Sequence, residues 1–274
     1  MDVIKNYDDL DLRFLRDEVI LIAQSAGDIL LKFYDKNLEL LEKADGSFYT
    51  VADLESENLI LKKLSELTPG VPIISEEATE RGIIPNIQKG NFWLVDPLDG
   101  TDSYIKSNNN FVVNIALVVN FTPVMGVIHI PITKKTYVDI VNNNAYLMDM
   151  DGNISDIKSS VVSQEKISLL LYHPLPKNIY RDSYLKKIHF TKVNRSSDAY
   201  RFCRMAQGEF DLHICFEECY EWDIAAGHAI IKAAGGNIVG LDTLELTYGK
   251  KNFKNQEFIV HGRLKGYKIP CFIK

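Results

Sequence analysis

No run in this 274-residue sequence approaches the roughly 18 consecutive apolar residues that cross a bilayer. The N-terminus, Met1-Asp2-Val3-Ile4-Lys5, lacks the basic region and apolar core of a secretory leader. A cytoplasmic chain without a spanning segment is therefore expected. Cysteine is sparse, at Cys203, Cys215, Cys219 and Cys271. Cys215 and Cys219 have no second Cys or His pair to complete a zinc signature, so free structural thiols in a reducing compartment are expected. Positive charge does not dominate: 31 Lys and Arg face 37 Asp and Glu, for a net charge of −6. That excludes a broad surface for a nucleic-acid polymer. It leaves room for a small anionic substrate, because a bound metal turns a local site positive. Internal repeats and low-complexity segments are absent as well. What is there, 46% hydrophobic and 25% charged residues, is the composition of a globular enzyme with a substantial core.

Apolar residues at helical spacing, among them Leu12, Leu15, Val19, Ile22, Ala26 and Leu30, predict a long amphipathic helix from about Leu10 to Tyr34. Lys43-Ala44-Asp45-Gly46-Ser47 reads as a turn. A second helix starts near Asp53 and stops at Pro69-Gly70. Short strands are predicted at Val71–Ser75, just before Glu76-Glu77, and at Phe92–Val95, just before Asp96. Strands follow at Phe111–Val119, Pro123–Ile130, Lys135–Asp139 and Ala145–Met148, with a turn at Asn142-Asn143-Asn144. A polar stretch opened by Asp151-Gly152-Asn153 marks a boundary between subdomains 1–153 and 154–274. Beyond it, a strand is expected at Ile167–Tyr172 and helices at Tyr180–Lys187, Ser197–Gln207 and Asp223–Ala234.

One segment concentrates chemistry: Asp96-Pro97-Leu98-Asp99-Gly100-Thr101-Asp102. Glu76-Glu77 precedes it and Trp222-Asp223 follows much later. Carboxylates brought together repel one another unless a cation sits between them, and Mg²⁺ suits an all-oxygen set. Magnesium in such a cage handles phosphate, so the pattern points to phosphate ester hydrolysis. Pro97 and the turn after it let Asp96 and Asp99 approach one site, with the Leu98 carbonyl facing the same cavity. Gly100-Thr101-Asp102 opens a helix whose free amides suit a phosphate. Each fragment alone also reads as ordinary structure: Asp-Gly as a turn, Glu-Glu as a solvated pair, Trp-Asp as a helix cap. Their joint occurrence is what carries the chemical reading.

The blocks Thr50-Val51-Ala52-Asp53, Glu76-Glu77, Asp96-Pro97-Leu98-Asp99-Gly100-Thr101 and Trp222-Asp223-Ile224-Ala225-Ala226-Gly227 resemble the magnesium-dependent, lithium-sensitive phosphatase superfamily that includes inositol monophosphatase. The resemblance runs from about residue 10 to about 262. It implies an α+β fold layered α-β-α-β-α, with the active site between two subdomains. It implies Glu76, Asp96, Asp99 and Asp223 as side-chain metal ligands and Leu98 as a carbonyl ligand, for two or three Mg²⁺ ions. Asp53 and Thr101 would orient and deprotonate the attacking water, and Glu77 would support the metals from behind. The amides of Gly100, Thr101 and Asp102 would hold the phosphate. No residue would become phosphorylated.

Glu221-Trp222-Asp223 with His228-Ala229 resembles the bacterial 3′(2′),5′-bisphosphate nucleotidase branch, tied to sulfate assimilation. That branch implies hydrolysis of adenosine 3′,5′-bisphosphate to AMP and phosphate. Ser196-Ser197 with Phe202-Cys203 resembles its nucleotide-contacting region, which makes Arg195 and Ser196 candidate substrate contacts. Asn194-Arg195 and Asp102-Ser103-Tyr104 depart from the branch's usual residues. The alternatives are an inositol monophosphatase and a degenerate metal-binding interaction protein. The partner is expected to be a small phosphorylated nucleotide. Oligomeric state is not legible, and His228, in an alanine-rich helix, reads as a packed core histidine.

Overall fold

The structure, a computed structural model, describes residues 9–34, 40–42, 48–140, 144–172, 179–196, 200–217 and 219–271. The predicted turn at 43–47, and residues 142 and 143 of the other predicted turn, lie outside them. Seven α-helices are described: α1 (Asp9–Phe33), α2 (Val51–Leu67), α3 (Glu76–Glu80), α4 (Thr101–Ile105), α5 (Ile179–Leu185), α6 (Arg201–Ala206) and α7 (Glu221–Ala233). No helix among the described residues is long and apolar enough to cross a membrane.

Two large sheets carry the fold. The first has seven strands in sequential order, from Ile73–Ser75 and Phe92–Asp99 through Val112–Val119 and Thr122–Ile130 to Ile154–Ile157. Its first pair is parallel and the following pairs are antiparallel. The second sheet has five strands in the order Lys192–Ser196, Ser168–Tyr172, Leu212–Cys215, Phe258–His261, Asn237–Gly240. The chain passes from one sheet to the other between Ile157 and Ser168.

Alternation along the strands sets the layers. Trp93 and Val95 point into a core with Val19, Ala23, Ala26 and Leu30 of α1 and Ile60 and Leu64 of α2. Phe92 and Leu94 point the other way, into a core with Ala225, Ala226 and Ile230 of α7 and Phe202 of α6. Leu170 and Val260 of the second sheet enter that same core from the far side. Their neighbours Leu169, Leu171 and Ile259 turn outward, against Tyr184 of α5 and Ile188. The layers therefore run helix, sheet, helix, sheet, helix, as the resemblance implied. Because α7 lies between two sheets it is apolar on nearly every side, which accounts for its Ala-Ala-Gly composition. A Cβ on Gly126 would lie 2.2 Å from the Ala226 carbonyl oxygen, and one on Gly227 would lie 2.5 Å from the Phe202 ring. Glycine at these two positions sets how closely α7 seats on its neighbours.

Two predicted elements differ. The strand expected to stop at Val95 continues to Asp99, with a register shift between Asp96 and Asp99. Pro97 sits in that irregularity and beyond the last parallel pair, Ser75 with Val95, so its missing N–H leaves no gap in the ladder. Of the helix expected over Ser197–Gln207, residues 197–199 lie outside the described residues; the helix spans Arg201–Ala206, and Lys192–Ser196 is a strand. Among the described residues that strand lies at the sheet edge, paired with Ser168–Tyr172, and its polar residues hide the period-two alternation.

Candidate active site

The strands Ile73–Ser75 and Phe92–Asp99 run parallel as neighbours, so both deliver their following acids to the same edge of the sheet. Glu76 opens α3 there, and Asp96 and Asp99 end the adjoining strand. Asp223 arrives from the opposite layer in the first turn of α7. Helix N-termini favour negative charge, which eases the placement of Glu76 and Asp223. Ligand oxygens of Glu76, Asp96 and Asp223 all lie within 4.8 Å of one another.

That proximity is electrostatically costly. Burial pushes the Asp96 carboxyl well above its ordinary value, and the charges of Glu76, Asp99 and Asp223 push it further. Asp223 is raised by burial and then by Asp99, the Cys219 thiol and Glu76. Asp99 is raised by burial, while the Arg201 guanidinium and a hydrogen bond from Asn114 pull it down. Carboxylates held together at this cost fit a divalent cation, which would favour their ionised forms.

Local hydrogen bonds fix the strand end. The Leu98 N–H donates to Asp96 Oδ1 at 2.9 Å, and the Ser56 hydroxyl of α2 donates to the Pro97 carbonyl at 3.1 Å. The Leu98 carbonyl accepts the Thr101 hydroxyl at 3.1 Å. Asn114 Nδ2 donates to Asp99 Oδ2 at 3.2 Å. Gly100 takes φ 94° as the residue before α4, a left-handed conformation that suits glycine, and its carbonyl accepts the N–H groups of Ser103 and Tyr104. The Asp102 side chain turns to solvent, where it pairs with Lys106 at 3.4 Å.

Asp53 occupies the first turn of α2 and is buried. Its Oδ2 accepts both the N–H (2.8 Å) and the hydroxyl (2.7 Å) of Thr50, while the Thr50 oxygen caps Ala52 N–H at 3.1 Å. Glu77 is buried in α3. Arg195 and Ser196 stand on the edge strand opposite Leu171 and Tyr172, and their side chains lie outside the described residues. His228 is buried between Tyr248 OH and Asn237 Oδ1, each at 2.9 Å, and burial lowers it to about 4. A neutral packed histidine is the result.

Three residues absent from the sequence reading take part. Glu57, one turn after Asp53, accepts Ser75 Oγ at 2.5 Å and Ala78 N–H at 2.8 Å and pairs with Arg81, clamping the Glu76-Glu77 segment to α2. Asn114 braces Asp99. Arg201 is buried and brings positive charge near Asp99 and Asp223. The signal for Asn114 was an amide in the otherwise apolar strand Val112–Val119. Glu57 and Arg201 had none beyond an ionisable group on a helix.

Residues 11–266 match the inositol monophosphatase family. The chain belongs to the inositol monophosphatase family. Within that family it is 35% identical to the 3′(2′),5′-bisphosphate nucleotidase CysQ of Buchnera aphidicola, an alignment that covers 82% of this chain and 84% of the relative. The nucleotidase CysQ of Escherichia coli K12 is 31% identical, over 89% of this chain and 98% of its own. In three dimensions, CysQ from Bacteroides thetaiotaomicron superposes with a TM-score of 0.72 at 30% identity, over 92% of this chain and 99% of its own. The bisphosphate nucleotidase resemblance read from the motifs around Trp222-Asp223 is borne out by these relatives.

Proposed function

We propose that this protein hydrolyses adenosine 3′,5′-bisphosphate and water to AMP and phosphate, in a Mg²⁺-dependent reaction without a phosphoenzyme. The acid cluster of Glu76, Asp96 and Asp223, in a chain whose relatives are named bisphosphate nucleotidases, carries the reading. We assign Glu76, Asp96, Asp99, Asp223 and the Leu98 carbonyl to two or three Mg²⁺ ions, with Glu77 behind them. When bound, Mg²⁺ neutralises the phosphate and lowers the pKa of a water. Thr101 and Asp53 orient that water. A hydroxyl alone is a weak base near neutral pH, so Asp53 supplies the final proton acceptor. Backbone amides of Gly100, Thr101 and Asp102 hold the phosphate, and Arg195 and Ser196 contact the nucleotide. A guanidinium suits its second phosphate. The two subdomains, expected as 1–153 and 154–274 with the strand Ile154–Ile157 still in the first sheet, enclose the site, and the enzyme works in the cytoplasm on a product of sulfate assimilation.

The test is phosphate release from adenosine 3′,5′-bisphosphate, inositol 1-phosphate and fructose 1,6-bisphosphate, side by side, with Mg²⁺ and with added Li⁺. Preference for the nucleotide, with inhibition by Li⁺, is expected. Preference for inositol phosphate makes the protein an inositol phosphatase. No release from any of the three favours a metal-binding interaction protein.

A further inference from the structure

Asn114 is the one strongly polar side chain in the strand Val112–Val119, and it is 2% exposed. It faces Asp96 across the antiparallel ladder, so the two side chains share one face of the sheet. Past the register shift, its Nδ2 donates to Asp99 Oδ2. An ionised carboxylate can only accept, so this contact fixes which end of the amide faces Asp99. The other end, Oδ1, is buried with no hydrogen-bond partner. Buried amide oxygens are costly to leave unpaired and are found paired in the great majority of proteins. The neighbouring carboxylates Asp96 and Asp99 offer no donor when ionised. What is missing beside Asn114 is therefore a donor, at the edge of a cluster that already calls for a cation.

We propose that Asn114 is a positioning residue of the metal site: its amide nitrogen orients Asp99, and its amide oxygen accepts a hydrogen bond from a water in the hydration shell of the bound Mg²⁺. Magnesium keeps several of its waters when protein carboxylates bind it, and those waters need acceptors of fixed position. One side chain then steers a ligand and the ion's hydration shell together. This rests on the metal-dependent reading of the site given above.

The test uses full-length Asn114→Leu, of similar shape without polar atoms, and Asn114→Ser as a second variant in case leucine disturbs folding. Calorimetric titration of the chelator-treated proteins with Mg²⁺ reads metal affinity directly. Thermal melting with and without Mg²⁺ separates a metal role from a structural one. Both variants are expected to bind Mg²⁺ about tenfold more weakly or worse. Tenfold corresponds to about 1.4 kcal/mol less Mg²⁺-induced stabilisation. The metal-free melting temperature of Asn114→Leu should change little, because removing the unpaired oxygen offsets the lost bond to Asp99. Raising Mg²⁺ should recover part of the lost kcat, a response that a purely structural defect would not show. Wild-type Mg²⁺ affinity in both variants overturns the inference and leaves the metal reading standing. So does a lower metal-free melting temperature with wild-type affinity, which makes Asn114 a structural brace. Absence of Mg²⁺ binding by the wild-type protein overturns both.

Discussion

At the start of α2, Asp53 accepts the backbone N–H of Thr50, the residue before the helix; at the start of α7, Asp223 accepts the backbone N–H of Tyr220 in the same way, at 3.0 Å. Each acid is the third helical residue, and each closes the first turn. Their surroundings differ. Asp53 also takes the Thr50 hydroxyl, so two neutral donors meet one of its oxygens. Asp223 faces Glu76 and Asp96 within 4.8 Å and carries a raised pKa. One local motif thus holds two different carboxylates: one whose ionised form is favoured by hydrogen-bond donors, and one whose ionised form is disfavoured until a cation is bound. The residues brought opposite by the sheets make the difference.

Exchanging oxygen for nitrogen at the two acids should break this symmetry most strongly. Asp223→Asn should fold, keep or raise its metal-free melting temperature because a repelled charge is gone, and lose more than about a hundredfold in kcat/KM with weaker Mg²⁺ binding. Near wild-type turnover at ordinary Mg²⁺ would remove Asp223 from the metal site. Asp53→Asn should behave in the opposite sense, with Mg²⁺ affinity retained and metal-free stability lowered by about 1 kcal/mol through its weakened cap.

Thr101 tests the catalytic end of the comparison. Its hydroxyl rests on the Leu98 carbonyl, one of the assigned metal ligands. Thr101→Ala should lower kcat by roughly 10²-fold with Mg²⁺ affinity changed little, and Thr101→Ser should restore most of the rate. Steady-state kinetics beside a metal titration separates the two effects. A loss confined to metal affinity would make the hydroxyl a brace for the Leu98 carbonyl.

The pH dependence of the metal-free protein should follow from the α7 side. Asp96 and Asp223 have folded-state values raised above 3.8. Between that value and the raised ones the folded chain holds protons that the unfolded chain has lost. Their contribution to stability is therefore greatest at low pH in this window and falls as pH rises, by up to about 1.4 kcal/mol per pH unit for each such group. Buried His129, His213 and His228, lowered to about 4, 3 and 4, act in the opposite sense below 6.5. The decline is therefore read as the difference between wild type and Asp223→Asn, by denaturation in chelator from pH 4 to pH 8. Mg²⁺ should flatten the acids' contribution, since it favours the ionised carboxylates. A difference that does not change with pH would mean that the cluster is not strained.

The sequence carried some of this better than the rest, for physical reasons. Asp96, Leu98, Asp99, Gly100 and Thr101 are adjacent in the chain, so their convergence follows from one strand end and one turn. The alternation of Trp93, Leu94 and Val95 likewise gives the strand directly. Glu57 and Asn114 act through partners 15 to 24 residues away, Ser75, Ala78 and Arg81 for Glu57 and Asp99 for Asn114. No local pattern announces such contacts. Arg201 is harder still, because a basic residue on a short helix reads as solvated until the second sheet buries it. The edge strand Lys192–Ser196 is silent in the sequence, since its polar residues hide the period-two alternation.

The smallest expected effect separates the two caps themselves. Thr50 reaches Asp53 with its hydroxyl as well as its backbone, while Tyr220 reaches Asp223 through its backbone N–H. Thr50→Ala should therefore cost about 1 kcal/mol of stability and a few-fold in kcat, because Asp53 loses one of the donors that hold its orientation. Tyr220→Phe keeps both the backbone donor and the aromatic face that stacks on Trp222 at 4.6 Å. It should leave stability and Mg²⁺ affinity within a few tenths of a kcal/mol of wild type. Chemical denaturation and kinetics of the pair measure the difference. Equal losses in both variants would mean that the α2 cap, like the α7 cap, is carried by the backbone alone, and that the Thr50 hydroxyl does not set the orientation of Asp53.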